Sequence, residues 1–446
     1  MPASLTVHAR SLLIAHLLAV AALVALGALR PALEAVAARM EPFAFELERM
    51  FDLSREASLA SWFGSSLFLL AALILYASRR AGAANLRLGG GVILLCLTLA
   101  LDFGTNVHER FLSRWHALGG GAHGWVVIVV ALAVLAAIFR ASRPIDTGAR
   151  RLFRLSALLI VGGYIWTAGL AYAWTVNDDV GALLRLIGAV TFVYACLVDM
   201  ARERPTIELR FNGARRALIA LVGVSLFFTL TTIIMHILTL TTDVWSYDPA
   251  GFIFLFNTGQ EATFPTAFSY GVMLLCAVLL WLIAAGRKRD GAGFVRHWQG
   301  LAIVFVLLSV DEAVSLHEQL MQPSRALLTK LSIDADGLLY FAWIVPVGIL
   351  LLLLTAVYIP FLRHLPRRTL ILFAVSAALF VGGAIGMELP GGYVTSRFGD
   401  STMIKAALET VEELLELLGV SLFAYALLDY LRAHVGSLHV TFMSQT

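Results

Sequence analysis

Two short stretches of this sequence combine residues that bind metal ions and carry protons. Each has an Asp, a His six residues later and a Glu directly after the His. The members are Asp102, His108 and Glu109 in the first stretch, and Asp311, His317 and Glu318 in the second, 209 positions later. Carboxylate and imidazole groups together suit Zn²⁺, iron or Mn²⁺, and both groups also accept and release protons.

The position of the two Asp residues raises the question of what neutralises them. Asp102 and Asp311 each follow an apolar run, and an ionised Asp inside a membrane costs about 2.5–3.5 kcal/mol. On a continuous helix the Glu seven positions later shares the face of the Asp, whereas the His points about a third of a turn away. We therefore expect side chains from other helices to complete any site.

Acidic residues at the ends of other predicted helices are the expected partners. Four of them have the spacing i, i+3, i+4 and i+7 of one helix face: Glu409, Glu412, Glu413 and Glu416. Helix capping is the alternative explanation for Glu409, because acidic side chains are favoured at helix starts. The predicted ligands of a divalent metal (Zn, Fe or Mn) are Glu56, Asp102, His108, Glu109, Glu261, Asp311, His317, Glu318, Glu409 and Glu412, and the predicted catalytic carboxylates are Glu318 and Glu413.

The two stretches do not have equal surroundings. Arg185 occupies the position in the first half that corresponds to Glu416 in the second, and fewer acidic residues accompany His108 than His317. We therefore expect the second half to hold the working site. The first half is expected to hold a weaker site or a remnant that supports the fold.

The composition is that of a helical membrane protein. Of the 446 residues, 59% are apolar and only 14% are charged, compared with about 25% charged residues in soluble proteins. Successive apolar runs of roughly 20 residues are each long enough to cross a bilayer. The three cysteines lie inside such runs without metal-ligand spacing, and the net charge of +3 gives no reason to expect nucleic-acid binding.

Twelve membrane-spanning helices are predicted, and basic residues set their direction. Most Lys and Arg flank the helices on the side of the N-terminus, which predicts that both termini are cytoplasmic. We expect a multi-pass protein of the inner membrane with both Asp-His-Glu stretches towards the outer face. The predicted helices lie near residues 11–29, 58–78, 91–112, 123–140, 153–174, 181–200, 216–239, 267–286, 298–316, 338–358, 368–387 and 406–431.

Four stretches recur in the same order, which indicates an internal repeat. Residues 9–14 match 214–219 and residues 51–63 match 256–268, the Asp-His-Glu stretches follow, and residues 183–195 match 414–426. Each half then has six helices, so the two halves have the same orientation about an axis along the membrane normal. The predicted fold is an all-α polytopic membrane protein with two parallel six-helix repeats, residues 1–205 and 206–446.

Three functions remain open, and whether the protein is an enzyme is uncertain. No P-loop, Rossmann fingerprint, G-x-S-x-G or H-E-x-x-H motif occurs. The leading hypothesis is a metal-binding membrane protein that acts on a lipid-like or small molecule. The alternatives are a secondary transporter coupled to a cation or protons, and a structural subunit of a larger membrane complex. The expected partners are membrane lipids, with a second copy of the chain or other subunits of a membrane complex.

Overall fold

A computed structural model describes residues 3–39, 47–80, 90–110, 147–167, 179–203, 206–241 and 253–444, together with positions 132–133, 135–136, 139–140, 142, 145 and 251. The chain divides into two compact units. One unit comprises Met1–Pro31, Leu47–Leu209 and Ser437–Thr446, and the other comprises Ala32–Glu46 and Arg210–Gly436.

The first unit is built from helices that pack in pairs. The elements up to the end of this unit are β1 (Ala3–His8), α1 (Ala9–Arg39, with its last turns beyond the unit), α2 (Leu47–Phe51), α3 (Leu59–Arg80), α4 (Gly90–Thr105), α5 (Thr147–Ile165), α6 (Asp179–Glu203) and β2 (Thr206–Arg210). Helix α3 packs on α4, α5 packs on α6, and α3 also packs on α6.

The second unit is organised around its last long helix. Its helices are α7 (Ala214–Thr241), α8 (Phe264–Arg289), α9 (Val295–Val314), α10 (Leu316–Gln319), α11 (Met321–Lys330), α12 (Ile344–His364), α13 (Arg367–Val381), α14 (Glu388–Phe398) and α15 (Met403–Tyr430). Helix α15 contacts α7, α8 and α13, and α8 also packs on α9. The unit also contains short 3₁₀ turns at Ile253–Phe256 and Gly337–Leu339 and π-helical turns at Gly382–Met387 and Leu431–Val435.

A small sheet within the first unit joins both ends of the chain to the segment between the halves. Strand β3 (Ser437–Met443) lies between β1 and β2, and it runs parallel to β1 with Ala3 opposite Leu438. Alternate residues of β3 are buried, as expected for a strand that covers a core with one face. This sheet was not predicted, although the alternation of apolar and polar residues in β3 is visible in the sequence.

The helices are those of a membrane protein. Within the described part of the chain, nine helices are long and apolar enough to cross a membrane, and each overlaps one of the twelve predicted spans. The third predicted span corresponds to the shorter apolar helix α4, and the fifth overlaps α5. Most of the span predicted at 123–140 lies outside the described residues. Helix α12 begins six residues later than predicted, with Pro346 in its first turn, where proline is tolerated.

Glycines allow the closest helix contacts in both units. A Cβ atom on Gly419 of α15 would lie 2.6 Å from the backbone nitrogen of Phe380 in α13. A Cβ atom on Gly188 of α6 would lie 2.6 Å from the side chain of Ile160 in α5. No side chain fits at either crossing without moving a helix, so these glycines fix how closely each helix pair approaches.

The variant Gly419→Ala is therefore expected to destabilise the protein by about 1–3 kcal/mol, the usual cost of overpacking. Thermal unfolding in detergent, followed by circular dichroism, measures this loss. The matched control is Gly382→Ala, because a Cβ atom on Gly382 has no neighbour within 4 Å. Equal stability of the two variants would contradict the close contact at Gly419.

Candidate functional site

The second Asp-His-Glu stretch forms a compact turn at the end of α9. The carboxylate of Asp311 accepts a hydrogen bond from the backbone N–H of His317 at 2.7 Å, and it lies 3.0 Å from Nδ1 of the His317 ring. Ser315 between them has a φ of 49°. This left-handed residue ends the helix and folds the chain back, so that the ring of His317 reaches Asp311.

The first stretch has the same local geometry at the end of α4. Asp102 accepts the backbone N–H of His108 at 2.9 Å, and its carboxylate lies 3.0 Å from Nδ1 of the ring. Asn106 has a φ of 46°, in the position that Ser315 occupies in the second stretch. We call this arrangement of carboxylate, left-handed residue and returning histidine the Asp–His turn.

The expectation of a continuous helix through these residues is wrong. The helix ends at the left-handed residue, so the His binds the Asp directly instead of pointing a third of a turn away. Asn tolerates this backbone conformation better than most residues, so Asn106 was a readable signal in the sequence, whereas Ser315 was not.

In the first unit, an arginine completes the Asp–His turn. Nη1 of Arg185 lies 2.7 Å from Nε2 of His108, and the hydroxyl of Tyr164 donates to Asp102 at 2.5 Å. Arg185 is 5% exposed, and its guanidinium lies over the ring of Tyr164. A guanidinium only donates hydrogen bonds. Nε2 of His108 must therefore accept, and Nδ1 carries the proton that is donated to Asp102.

In the second unit, the corresponding space is strongly acidic. The charges of Glu388 and Glu412 interact with His317, and those of Glu312 and Glu413 interact with Glu416. Seven half-buried carboxylates from α9, α14 and α15 belong to this cluster. We call it the acidic cluster, and its members are Asp311, Glu312, Glu388, Glu409, Glu412, Glu413 and Glu416.

Two positive charges accompany the acidic cluster. Lys405 is 6% exposed, its Nζ lies 3.1 Å from Oε1 of Glu409, and its charge also acts on Glu388 and Glu412. His317 supplies the second charge, and its ring stands 4.6 Å from that of Trp343. The cluster therefore brings together His317 and the last long helix, as the sequence suggested.

Several members of the acidic cluster were absent from the predicted ligand set. Glu312 follows Asp311 directly and was overlooked because neighbouring residues on a helix point in different directions. Lys405 lies four residues before Glu409, and this i, i+4 pair was a readable signal. The contribution of Glu388 depends on the approach of α14 to α15, which the sequence does not encode in any local pattern.

The other predicted ligands have different surroundings. Glu56 forms an ion pair with Arg110 at 3.2 Å, and Glu318 is exposed. Glu109 has its Oε1 3.8 Å from Nε2 of His108. Glu261 is half-buried, and the charges that act most strongly on His317 are those of Asp311, Glu318 and Glu312 rather than that of Glu261.

No group of three or more His, Cys, Asp or Glu side chains among the described residues is arranged to hold a metal ion. In the first unit, both ring nitrogens of His108 already have partners. In the second unit, the one ring nitrogen of His317 with a hydrogen-bond partner among the described residues is Nδ1, which contacts Asp311. The imidazole of the second unit is thus the one with a nitrogen left for a ligand.

The protonation of His317 leads to a pH prediction. Burial by itself lowers its pKa, but the hydrogen bond and charge of Asp311, with the charges of Glu318 and Glu312, raise the pKa to about 9 from 6.5. Because the pKa is higher in the folded state, the imidazolium stabilises the fold fully below pH 6.5. That contribution is lost as the pH rises through about 9.

The stability difference between wild type and His317→Gln should therefore shrink between pH 6.5 and about 9. Thermal unfolding of both proteins across this range measures it. The variant His364→Gln, at the exposed end of α12, serves as the control. A difference between wild type and His317→Gln that does not change with pH would contradict a protonated His317.

Comparison with known proteins gives one match. A family described as a domain of unknown function (DUF8692) matches residues 217–430, a segment that begins in α7 and ends with α15. No curated protein matches the chain. No solved structure matches it either. The similarity thus covers the elements that carry the acidic cluster and assigns no activity to them.

Proposed function

We propose that this protein is a secondary transporter of the inner membrane, with the acidic cluster as the site that binds the coupling protons or cations. One observation carries the proposal. Seven carboxylates on helices long and apolar enough to cross a membrane lie together, and among the described residues the positive charges found beside them are those of Lys405 and His317.

The electrostatic cost of the cluster supports this function. An ionised carboxylate in the membrane costs about 2.5–3.5 kcal/mol, and two positive charges cannot compensate seven negative ones. Bound protons or cations are therefore needed to neutralise the cluster. Intramembrane carboxylates of this kind are the usual proton and ion relays of transporters.

The exposure of the cluster supports access by ions. Each of the seven carboxylate residues is half-buried, although all belong to helices long and apolar enough to cross a membrane. The proposal requires that this accessible surface faces water, so that a hydrated ion or a proton can reach the cluster.

Two parallel six-helix halves, residues 1–205 and 206–446, with both termini in the cytoplasm, are part of the proposal. Residues that occupy equivalent positions in the matched stretches of the two halves have matching local structure, which supports the repeat. Ala57 and Ala262 both have a φ of 51°. The matching pairs also include Asn106 with Ser315, Gly188 with Gly419, and the side chains that cap the next helix, Ser58 with Thr263.

Cation-dependent stability tests the transport proposal. Purified protein is titrated with Na⁺, K⁺, Ca²⁺ or protons, and the rise in melting temperature is recorded. Reconstituted protein on a solid-supported membrane then reports the charge that moves after a jump in the effective ion. We expect both stabilisation and charge movement in wild type. In Glu413→Gln and in Glu416→Gln, the affinity for the effective ion should be at least tenfold weaker.

The control is Asp400→Asn, which removes an exposed carboxylate from the same half and should leave the response unchanged. A wild-type protein that shows neither stabilisation nor charge movement with any of these ions would overturn the proposal.

A metal-binding enzyme is the second candidate, and one observation favours it. Asp311 orients His317 through Nδ1, as carboxylates orient metal-binding histidines, and this leaves Nε2 as the nitrogen for a ligand. A Zn, Fe or Mn ion could then replace the proton on Nε2, with Glu409 and Glu412 among its ligands and Glu318 or Glu413 as base. The substrate would be a lipid-like or small molecule.

Metal content separates the two candidates. The enzyme candidate predicts about one equivalent of metal per chain in wild type and much less in His317→Ala, measured by elemental analysis after purification without chelators. His364→Ala is the control, because this exposed histidine lies on another helix. Equal metal content in wild type and His317→Ala would exclude a site that depends on His317.

A further inference from the structure

We infer that the first unit contains an anion-binding cleft, in which Arg185 binds the carboxylate or phosphate group of a ligand. The cleft is partly open, its cavity volume of about 10 Å³ has room for about one water-sized group, and the residues that line it include Arg55, Asp102, Asn106, His108 and Arg185. It lies entirely within the first unit and does not depend on the proposed role of the acidic cluster.

The incomplete bonding of Arg185 is the first argument. Its side chain is 5% exposed, and its one hydrogen-bond contact among the described residues joins Nη1 to Nε2 of His108. Nε of Arg185 is buried without a partner in this part of the chain. An uncharged imidazole nitrogen does not neutralise the positive charge of a buried guanidinium as a carboxylate would, so an anion bound beside Arg185 would be stabilised.

The nearby carboxylates are already engaged. Asp102 accepts the backbone N–H and the ring of His108 and the hydroxyl of Tyr164, so three donors stabilise its negative charge. Glu56 is paired with Arg110. Glu109 has its Oε1 3.8 Å from Nε2 of His108 and likewise has interaction partners.

The chemistry of the lining sets the class of ligand. Arg55 is exposed and adds a second guanidinium to the lining. Guanidinium groups bind carboxylate and phosphate with two parallel hydrogen bonds, and Nε of Arg185 is a donor without a partner among the described residues. The ligand class is therefore a small carboxylate or phosphate, either free in solution or as the head group of an anionic lipid.

The contrast with the second unit supports this assignment. When the matched stretches of the two halves are aligned, the first half has Arg185 at the position of Glu416 and Phe103 at the position of Glu312. Gly181 and Ala182 likewise stand in place of Glu412 and Glu413. The same Asp–His turn thus faces carboxylates in one unit and a guanidinium in the other, so the first unit favours an anion where the second favours cations.

The test uses the full-length protein in an uncharged detergent, with three additives: sodium phosphate, sodium acetate and dihexanoyl-phosphatidylglycerol. Sodium chloride of equal ionic strength and dihexanoyl-phosphatidylcholine are the respective blanks. The melting temperature is recorded as each additive is titrated. The variants are Arg185→Met, Arg55→Met and, as the control, Arg151→Met, which removes an exposed arginine from the opposite end of α5.

We expect stabilisation of wild type and Arg151→Met by at least one additive, with an apparent affinity about tenfold weaker or worse in Arg185→Met. Should Arg185→Met fold poorly, Arg55→Met keeps the test decisive, because it changes an exposed residue and should weaken binding about threefold. A response to phosphate or acetate identifies a free anion, and a response to the lipid alone identifies a head group. No response above the blanks, or an equal response in all variants, overturns the inference.

Discussion

Replacing Asp102 with alanine is expected to destabilise the first unit by about 3–5 kcal/mol, the cost of leaving a buried charge and its donors without a partner. The carboxylate satisfies the backbone N–H and ring of His108 and the hydroxyl of Tyr164. Without it, three half-buried donors lose their acceptor. The charge of Arg185 also loses the carboxylate at the far side of the His108 ring.

The matched control for Asp102→Ala is Asp311→Ala, which removes the same carboxylate from the other Asp–His turn. Its expected loss is only about 1–2 kcal/mol, because two hydrogen bonds are lost while repulsion within the acidic cluster is relieved. Thermal or denaturant unfolding in detergent micelles measures both variants. Equal losses would show that the Asp–His turns are independent of the charges around them.

Replacing Lys405 with methionine is expected to be the most disruptive single change to the acidic cluster. The ammonium is buried, contacts Glu409 at 3.1 Å and acts on Glu388 and Glu412. Breaking a buried ion pair costs about 3–5 kcal/mol. Because the side chain of Glu409 is 38% exposed, solvent screening reduces the expected loss to about 2 kcal/mol.

The pH dependence of the Lys405→Met variant gives the sharper test. With one of its two positive charges removed, the cluster should be less stable at neutral pH and should recover as the pH falls, because protons then neutralise the carboxylates. Melting curves of wild type and variant from pH 5 to pH 8 measure this. Lys330→Met, at an exposed position of α11, is the control, and a variant deficit that grows on acidification would be inconsistent with a repulsive cluster.

Local sequence patterns predicted the long apolar helices and identified both Asp-His-Glu stretches as candidate sites. Apolar runs of membrane length correspond to long helices because a chain inside a bilayer must satisfy its backbone hydrogen bonds within the segment. The spacing of Glu409, Glu412, Glu413 and Glu416 predicted a common face, since a helix repeats every 3.6 residues. The alternation of apolar and polar residues in β3 is equally local, but the strand was not predicted because helical patterns dominate the chain.

The bonding within each stretch could not be predicted from the same patterns. A helical projection separates His317 from Asp311, but the left-handed Ser315 ends the helix and brings them within 3.0 Å. The positive φ of Ser315 brings the two side chains together, and a serine in the sequence rarely indicates such a left-handed conformation. The expected grouping of Glu56 with Asp102 had no local signal either, and Glu56 pairs with Arg110 instead.

The sequence by itself determined a helical membrane protein with costly polar groups in two related stretches, because hydropathy and spacing are properties of neighbouring residues. Tertiary structure alone decided what those groups meet. Arg185 reaches His108, and Glu388 and Lys405 join His317, because separate helices approach one another at glycine contacts and interrupted turns. The charge of a site is the sum over all the helices that surround it, so no one stretch could reveal that the two Asp–His turns lie in opposite electrostatic environments.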